Sequence, residues 1–488
     1  MNDILPVLRL LCVLLAMFAG ALLVPLGASV YADDGLWECY VVSILFTLLV
    51  SAILWFSTRK YQRELLPRHG VMLVSMVWVA LPLFAAIPLM LASYEIHRPM
   101  SFTHAYFESV SGLTTTGSTV MSDLDQLPLS LNVWRTFMQW IGGMGILILA
   151  VAVLPLLGVG ASQLFKAEAA GPVKDTKLTP RMTETAKGLW GVYFLFSLFC
   201  ALGYWWAGMT PEDAIMHMFT TVSLGGLSPH DASFAYFKSP LMESIAVFFM
   251  LAASCNFALY FIALRKGNWR GFWRDVEMRA TMVALVGGGL FVALLLWFKD
   301  VYAPLDALRM GLFHVISVGT TTGYTTTDYL NWPVFAPVFM IMLSGVATGA
   351  GSTGGGIKMA RMLILLKQAR REMARIIHPN AVQPVKLGHA VVENRMIFAV
   401  LAFMLMYGAT VIVLSMVLML TDLDPLTAFS AVLASVHCAG SAMGRLGPSS
   451  SYAVLNDFQL WVCTLGMLLG RLEILSFIAL LTPTFWRR

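Results

Sequence analysis

The chain has 488 residues, 58% of them hydrophobic and only 12% charged, with a formal net charge of +5 and a mean hydropathy of +0.76. A protein folded in water cannot hide that much apolar surface, whereas a bilayer solvates it, and no polar block is large enough for a soluble domain. The apolar runs are continuous rather than alternating as a β-barrel requires, so the fold class is an all-α polytopic membrane protein, whose helices satisfy their own backbone in lipid.

In chain order, about ten transmembrane helices fall near residues 4–30, 36–57, 71–96, 131–156, 188–209, 239–264, 280–298, 334–363, 395–420 and 456–482. The first is too long for the apolar core of a signal peptide and is followed by a second run, so it reads as a retained helix. The cysteines (Cys12, Cys39, Cys200, Cys255, Cys438 and Cys463) lie far apart in apolar segments and have neither disulfide nor metal-ligand spacing. Lys and Arg alternate sharply between the two faces, with 25 of the 32 on the side of Arg9, Arg59–Arg68, Lys166–Lys187, Arg265–Arg279, Lys358–Arg395 and the tail. The positive-inside rule places that side, and both termini, in the cytoplasm. The same bias gives no reason to invoke a nucleic-acid partner.

Between the spans, four outer connections carry a short apolar stretch that ends in small or hydroxylated residues and a glycine. They read AYFESVSGLTTTG, AIMHMFTTVSLGG, GLFHVISVGTTTG and AFSAVLASVHCAG, and end at Gly117, Gly226, Gly323 and Gly440. The windows align without a gap, with Ala105, Ala214, Gly311 and Ala428 twelve positions before each glycine. Pro211 and Pro425 stand where a helix would start. The glycines are 109, 97 and 117 residues apart, and each interval holds two spans, so the units share one orientation. The expected architecture is therefore four parallel helix–pore loop–helix repeats in pseudo-fourfold arrangement plus two extra N-terminal helices. The boundaries are 1–70 for the extra helices, then 71–187, 188–279, 280–394 and 395–488 for the repeats.

About a dozen helical residues rise roughly 18 Å, half a membrane, so each short helix ends near mid-bilayer with its negative C-terminal dipole toward the axis. Beyond it the chain turns back in extended form, which the membrane tolerates only where backbone lines water or is buried in protein. The carbonyls of Thr114, Thr115, Thr116 and Gly117, with their counterparts Ser223, Leu224, Gly225 and Gly226, Thr320, Thr321, Thr322 and Gly323, and His437, Cys438, Ala439 and Gly440, can then replace an ion's hydration shell. None of these positions is Asp or Glu, and a neutral cage suits a monovalent cation.

With TTTGST, TTVSLGGLSPHDAS, SVGTTTGYTT and GAGSTGGGIK, the sequence resembles the Trk/Ktr/HKT superfamily of potassium transporters over nearly its whole length, and within it the Trk-type membrane subunit. The resemblance implies a bacterial inner-membrane protein that takes up potassium, and rubidium in its place, as substrate, with no covalent cofactor. It implies one selectivity glycine per repeat, serine in the first repeat accompanying sodium permeation. It also implies a homodimer in membrane lipid and a cytoplasmic RCK-type (TrkA-like) nucleotide-binding ring that opens a gate. The string Gly349–Gly354 fits G-x-G-x-x-G but sits inside the eighth span with no strand before it, so it is not a dinucleotide-binding signature and nucleotide control needs that separate subunit. The basic loops are its expected docking face, the alternative being ordinary positive-inside charge. The fourth loop departs from the family pattern, which has Asn before the glycine and Pro after it. Arg445 stands where an acidic residue is expected.

Glycines 345, 349, 351, 354, 355 and 356 crowd the eighth span. A phosphate-binding loop fails there, because Ile357 separates Gly356 from Lys358 and Met359 takes the Ser/Thr place. The resemblance makes the segment, with Gly349, Gly351, Gly354, Gly355, Gly356 and Lys358, an intramembrane gating loop; the alternative is a kinked helix. Arg471, inside the last span, is expected to point into the pore below the filter and touch that loop, the alternative being a packing salt bridge with a distant carboxylate. Glu473 lies on another face of the helix. Asn256 reads as a helix–helix hydrogen bond, and His217, His314 and His437 as packing or mouth residues. Two rival readings are a secondary transporter coupling sodium or an organic solute to a gradient, and an intramembrane enzyme. The enzyme lacks H-E-x-x-H, paired membrane aspartates or a nucleophile with its base, and neither rival explains the fourfold repeat.

Overall fold

The computed structural model describes residues 4–59, 67–152, 182–388, 390–472 and 474–486. Several expected features lie outside them: the basic residues Lys60, Arg63, Lys166, Lys174, Lys177, Arg181, Arg487 and Arg488, the end of the fourth span after Ala152, and Glu473. The described chain is all helix apart from a two-residue hairpin that pairs Lys386 with Val391. Leu5–Ala32, Trp37–Thr58, His69–Glu95, Ala186–Trp206, Val276–Phe298 and Asn394–Met419 are each long and apolar enough to cross a membrane. Leu129–Ala152 supplies a further long helix.

Two expected spans are not continuous. Pro240–Ala253 and Phe257–Lys266 meet at 87°, and Asp457–Arg471 stops before Ile474–Leu481. Asn256, expected to bond another helix, instead caps the helix Phe257–Lys266, its side chain accepting the Ala258 N–H. The eighth span is broken as expected, with Phe335–Ser344 and Met359–Ile377 flanking a non-helical 345–358.

Four short helices, Phe102–Leu113, Pro211–Val222, Pro304–Gly319 and Pro425–His437, hold the centre. Ser101, Thr210 and Asp424 cap three of them by accepting the N–H three residues on, and Pro occupies the first helical position of the second, third and fourth. The small residues at the aligned position are buried; a Cβ on Gly311 would lie 2.7 Å from the Ala293 nitrogen of the neighbouring long helix.

Nine residues before each of the first three glycines, a polar side chain ties the descending chain to its own helix. Glu108 accepts the Val120 N–H and the Thr119 hydroxyl, His217 Nε2 lies 3.2 Å from the Ser228 hydroxyl, and His314 Nε2 accepts the Thr326 N–H. Glu108 is fully buried and is neutralised by the equally buried Arg135, whose Nε donates to it at 2.9 Å while Nη1 reaches Asn132 and Nη2 reaches Thr119. Arg135→Met should therefore destabilise the protein by about 3–5 kcal/mol, because it strands a buried carboxylate. A melting temperature of the detergent-purified variant equal to wild type would contradict this.

Beyond the first two glycines, His230 joins their loops. Its Nδ1 lies 2.5 Å from Asp125 and its Nε2 3.1 Å from Asp213, and its ring stacks on Tyr236. Burial opposes the imidazolium, but the two carboxylates outweigh it and raise the His230 pKa above the ordinary 6.5. A raised histidine contributes stability that is complete below 6.5 and disappears as pH rises through the higher folded-state value. The melting temperature should thus fall as pH is raised above about 6.5, and His230→Gln should flatten that fall. An unchanged pH profile in the variant would count against the pair.

Candidate functional site

The four short helices end in one backbone pattern. The N–H two residues before the glycine bonds the carbonyl three back: Thr115 to Gly112, Leu224 to Thr221, Thr321 to Val318 and Cys438 to Ser435. The next N–H reaches five back: Thr116 to Ser111, Gly225 to Thr220, Thr322 to Ser317 and Ala439 to Ala434, at 2.9 Å each. This is the Schellman motif, but the left-handed position that usually takes glycine holds Thr115, Leu224, Thr321 and Cys438, with φ between 54° and 69°. Non-glycine residues there cost on the order of 1–3 kcal/mol each, strain of the kind that clusters at functional sites.

The glycine two residues later is also left-handed, and each glycine packs against the next loop. A Cβ on Gly117 would lie 2.1 Å from the Gly225 oxygen, on Gly226 1.7 Å from the Thr322 oxygen, on Gly323 3.1 Å from the Ala439 oxygen, and on Gly440 2.7 Å from the Thr116 oxygen. In every case the oxygen belongs to the residue before the next glycine. The contacts run from the first loop to the second, third, fourth and back to the first, so the four loops close a ring with one sense of rotation. The ring contacts join Thr116, Gly117, Gly225, Gly226, Thr322, Gly323, Ala439 and Gly440; the other eight expected residues precede them in the same four turns.

Side chains support the ring from behind. Thr114 and Thr116 share a hydroxyl hydrogen bond of 2.7 Å, and Thr320 and Thr322 one of 2.8 Å; the second and fourth loops have no such pair. His437 bonds the Ser344 hydroxyl through Nδ1 at 2.9 Å. Arg445 lies 3.5 Å from Asp424, which offsets its charge. On the glycine side the ring opens into a cavity of about 100 Å³ lined by Gly117, Gly226, Gly323, Gly440, Ser118 and Tyr452 among others.

On the opposite side, the glycine-rich segment lies against the helix ends. Thr353 donates to the Val222 carbonyl at 3.0 Å and the Gly355 N–H to the Thr321 hydroxyl at 3.2 Å. A Cβ on Gly354 would stand 3.1 Å from the Thr320 oxygen, and one on Gly355 1.9 Å from the His437 oxygen. Gly349 and Gly351 sit further along, beside the other broken span: the Gly349 N–H bonds Ser254 and the Gly351 carbonyl accepts from Phe257. Gly356 is left-handed, and the Lys358 ammonium folds back onto the Gly354 carbonyl. Arg471, 4% exposed, donates from Nη1 to Thr353 O at 3.1 Å and from Nη2 to Gly142 O at 3.3 Å, with Trp78 5.7 Å away. Its partners are backbone carbonyls; among the described residues it forms no carboxylate salt bridge.

Sequence reasoning missed Gln139, whose Nε2 donates to the Gly225 carbonyl at 2.8 Å while its Oε1 accepts the Leu227 N–H at 3.1 Å. An amide in the middle of an apolar span was the available signal. Tyr324 was missed too; its hydroxyl bonds Thr221 at 3.0 Å and the His217 carbonyl at 3.1 Å, locking the third loop to the second helix.

Residues 39–487 match the family described as TrkH, cation transport protein. The chain is 42% identical over 484 residues to the Trk system potassium uptake protein TrkH of Vibrio parahaemolyticus, covering 99% of both chains. It is 36% identical to the Trk system potassium uptake protein TrkG of Escherichia coli K12, over 94% of both. The crystal structure of the potassium transporter TrkH from Vibrio parahaemolyticus superposes with a TM-score of 0.91 at 39% identity, covering 100% of this chain and 99% of that one. An all-helical membrane fold centred on four loops, together with similarity along its entire length, makes this chain a member of the TrkH family of cation transport proteins.

Proposed function

We propose that this chain takes up potassium, and rubidium in its place, through a selectivity filter formed by Thr114–Gly117, Ser223–Gly226, Thr320–Gly323 and His437–Gly440. The observation that carries the reading is the ring in which each filter glycine packs on the carbonyl of the next loop. A closed ring of backbone dipoles without a carboxylate attracts a monovalent cation and replaces its water. The relatives named as potassium uptake proteins point to the same ion. Uptake is transport rather than catalysis, with the ion as substrate.

The glycine-rich segment, with Gly349, Gly351, Gly354, Gly355, Gly356 and Lys358, is the gate in this reading, and Arg471 holds it shut. The guanidinium binds Thr353 in that segment and Gly142, whose Cα in turn packs on the Leu113 carbonyl at the end of the first short helix. Its positive charge lies below the ring, on the path a cation would take, where an arginine raises an electrostatic barrier. The gate continues into the amphipathic helix Met359–Ile377, which carries Lys367, Arg370, Arg371 and Arg375. That helix and Arg265–Arg279 give a basic cytoplasmic face on which an RCK-type nucleotide-binding ring docks and pulls the gate open. The family resemblance supports this partner, a homodimer and an inner-membrane location, and the charge bias supports cytoplasmic termini.

Rubidium-86 uptake into proteoliposomes tests the filter. Potassium should block uptake far better than sodium, and Gly117→Ser should reduce that discrimination about tenfold, a change of about 1.4 kcal/mol. Uptake insensitive to potassium, or discrimination untouched by the serine, would sink the four-loop reading. For the gate, Arg471→Ala should raise ring-independent flux about tenfold by removing the charge and its two carbonyl anchors. Unchanged flux and gating would remove Arg471 from the mechanism.

A further inference from the structure

The four filter glycines are alike in backbone but not in what their carbonyls touch. Among the described residues, those of Gly117, Gly226 and Gly323 accept no protein hydrogen bond, whereas the Gly440 carbonyl accepts two, from the Ser118 hydroxyl at 3.1 Å and the Tyr452 hydroxyl at 3.1 Å. A carbonyl oxygen has two lone pairs, and two hydroxyl donors engage both. Neither donor is free to swing away. Ser118 follows Gly117 directly, its own carbonyl bonded by Ser111 at 2.6 Å. Tyr452 is 3% exposed, its N–H bonds Thr119 O at 2.8 Å and its ring packs on Phe107 with centroids 5.5 Å apart.

The other loops have no counterpart of this pair. The residues after their glycines are Leu227, which has no hydroxyl, and Tyr324, whose hydroxyl is held by Thr221 and His217. After the fourth glycine, Ser441 receives the Tyr329 hydroxyl at 2.9 Å and leaves the Gly323 carbonyl alone. We propose that Ser118 and Tyr452 are positioning residues that set ion affinity by saturating the Gly440 carbonyl, so that the outermost ring offers an ion three available glycine carbonyls and one committed to the protein. The proposal rests on the filter reading above. It makes the site weaker than its fourfold backbone suggests, because affinity for a dehydrated monovalent cation rises with the number and field strength of the carbonyls facing it.

The test is calorimetric titration of potassium, and separately sodium, into potassium-free, detergent-purified full chain, a measurement that needs no open gate. Ser118→Ala with Tyr452→Phe should tighten potassium binding about fivefold, the size expected when net hydrogen bonds to an acceptor are removed. Either single change should give about twofold. Tightening separates this role from a structural one, since loosened packing weakens binding of every ion. Tyr329→Phe removes a buried hydroxyl of the third loop, bonded to Ser441 beside the fourth glycine, without touching a filter carbonyl and should leave the dissociation constant as it is. Should Tyr452→Phe fail to assemble, Ser118→Ala alone carries the test. Potassium binding that is unchanged or weakened in these variants, while Gly117→Ser still reduces discrimination, overturns the inference and leaves the filter standing. Wild-type chain that binds no potassium overturns both.

Discussion

A backbone that leaves helical conformation in the middle of a membrane protein must find partners for its peptide groups without water. Everything at the centre of this molecule follows from that constraint. The four short helices end in the same Schellman motif, which satisfies the last amides internally, but the chain then proceeds through a left-handed residue and a left-handed glycine. The carbonyls released there have two outlets. Those before each glycine pack against the neighbouring loop, and among the described residues three of the four glycine carbonyls have no protein donor, which leaves them for the ion in the proposed filter. The strain of Thr115, Leu224, Thr321 and Cys438 at positive φ is sustained because each is pinned by its helix on one side and by ring contacts on the other.

The same constraint accounts for the broken long helices below the ring, because the breaks satisfy one another. The carbonyl of Ser254 accepts the Gly349 N–H at 2.9 Å, and that of Gly351 accepts the Phe257 N–H at 3.1 Å, so two interrupted helices exchange the hydrogen bonds each has lost. Within the glycine-rich segment, Gly345 O accepts from Ile357 and Thr348 O from Met359. Glu277, from the intact helix Val276–Phe298, takes the Ala350 N–H at 2.5 Å. Arg471 completes the set with two further carbonyls, one in the segment and one on the long helix after the first loop. The break between the two half-helices of the eighth span is thus built into its surroundings through these hydrogen bonds.

How much of this was legible depends on whether the partner lies near in the chain. The repeat was readable because a helix end is a local event: the motif from Ser111 to Gly117 is written in seven consecutive residues, and Pro211 and Pro425 announce where their helices start. The break before Met359 was readable too, since six glycines cannot sustain a helix in lipid. The break at Ser254–Asn256 was not, because SCNFALYF contains neither Gly nor Pro, and the capping role of Asn256 only exists once the helix has already stopped. Gln139 acts on a carbonyl 86 residues away and Ser118 on one 322 away, distances at which no local pattern forms. Arg445 likewise finds its partner beyond its own stretch of chain, at Asp424, the cap of the fourth short helix.

The departures of the fourth loop then take on a specific meaning. A ring built from backbone tolerates side-chain divergence wherever the Schellman turn and the glycine persist, and Cys438 and Ala439 keep both despite lacking the threonine pair of the first and third loops. What divergence changes is the tightness of the ring. The approach of Gly323 to the Ala439 oxygen is the loosest of the four: a Cβ there would lie 3.1 Å from the oxygen, against 1.7, 2.1 and 2.7 Å at the other glycines. The Ala439 carbonyl also accepts the Ser441 N–H at 2.8 Å, and the next carbonyl is the one taken by Ser118 and Tyr452. The fourth loop thus adds hydroxyl bonds on its glycine carbonyl to the packing that closes the ring. A proposed filter with four loops in mutual contact, one of them with its glycine carbonyl hydrogen-bonded, keeps its fourfold backbone while its field on the ion is unequal.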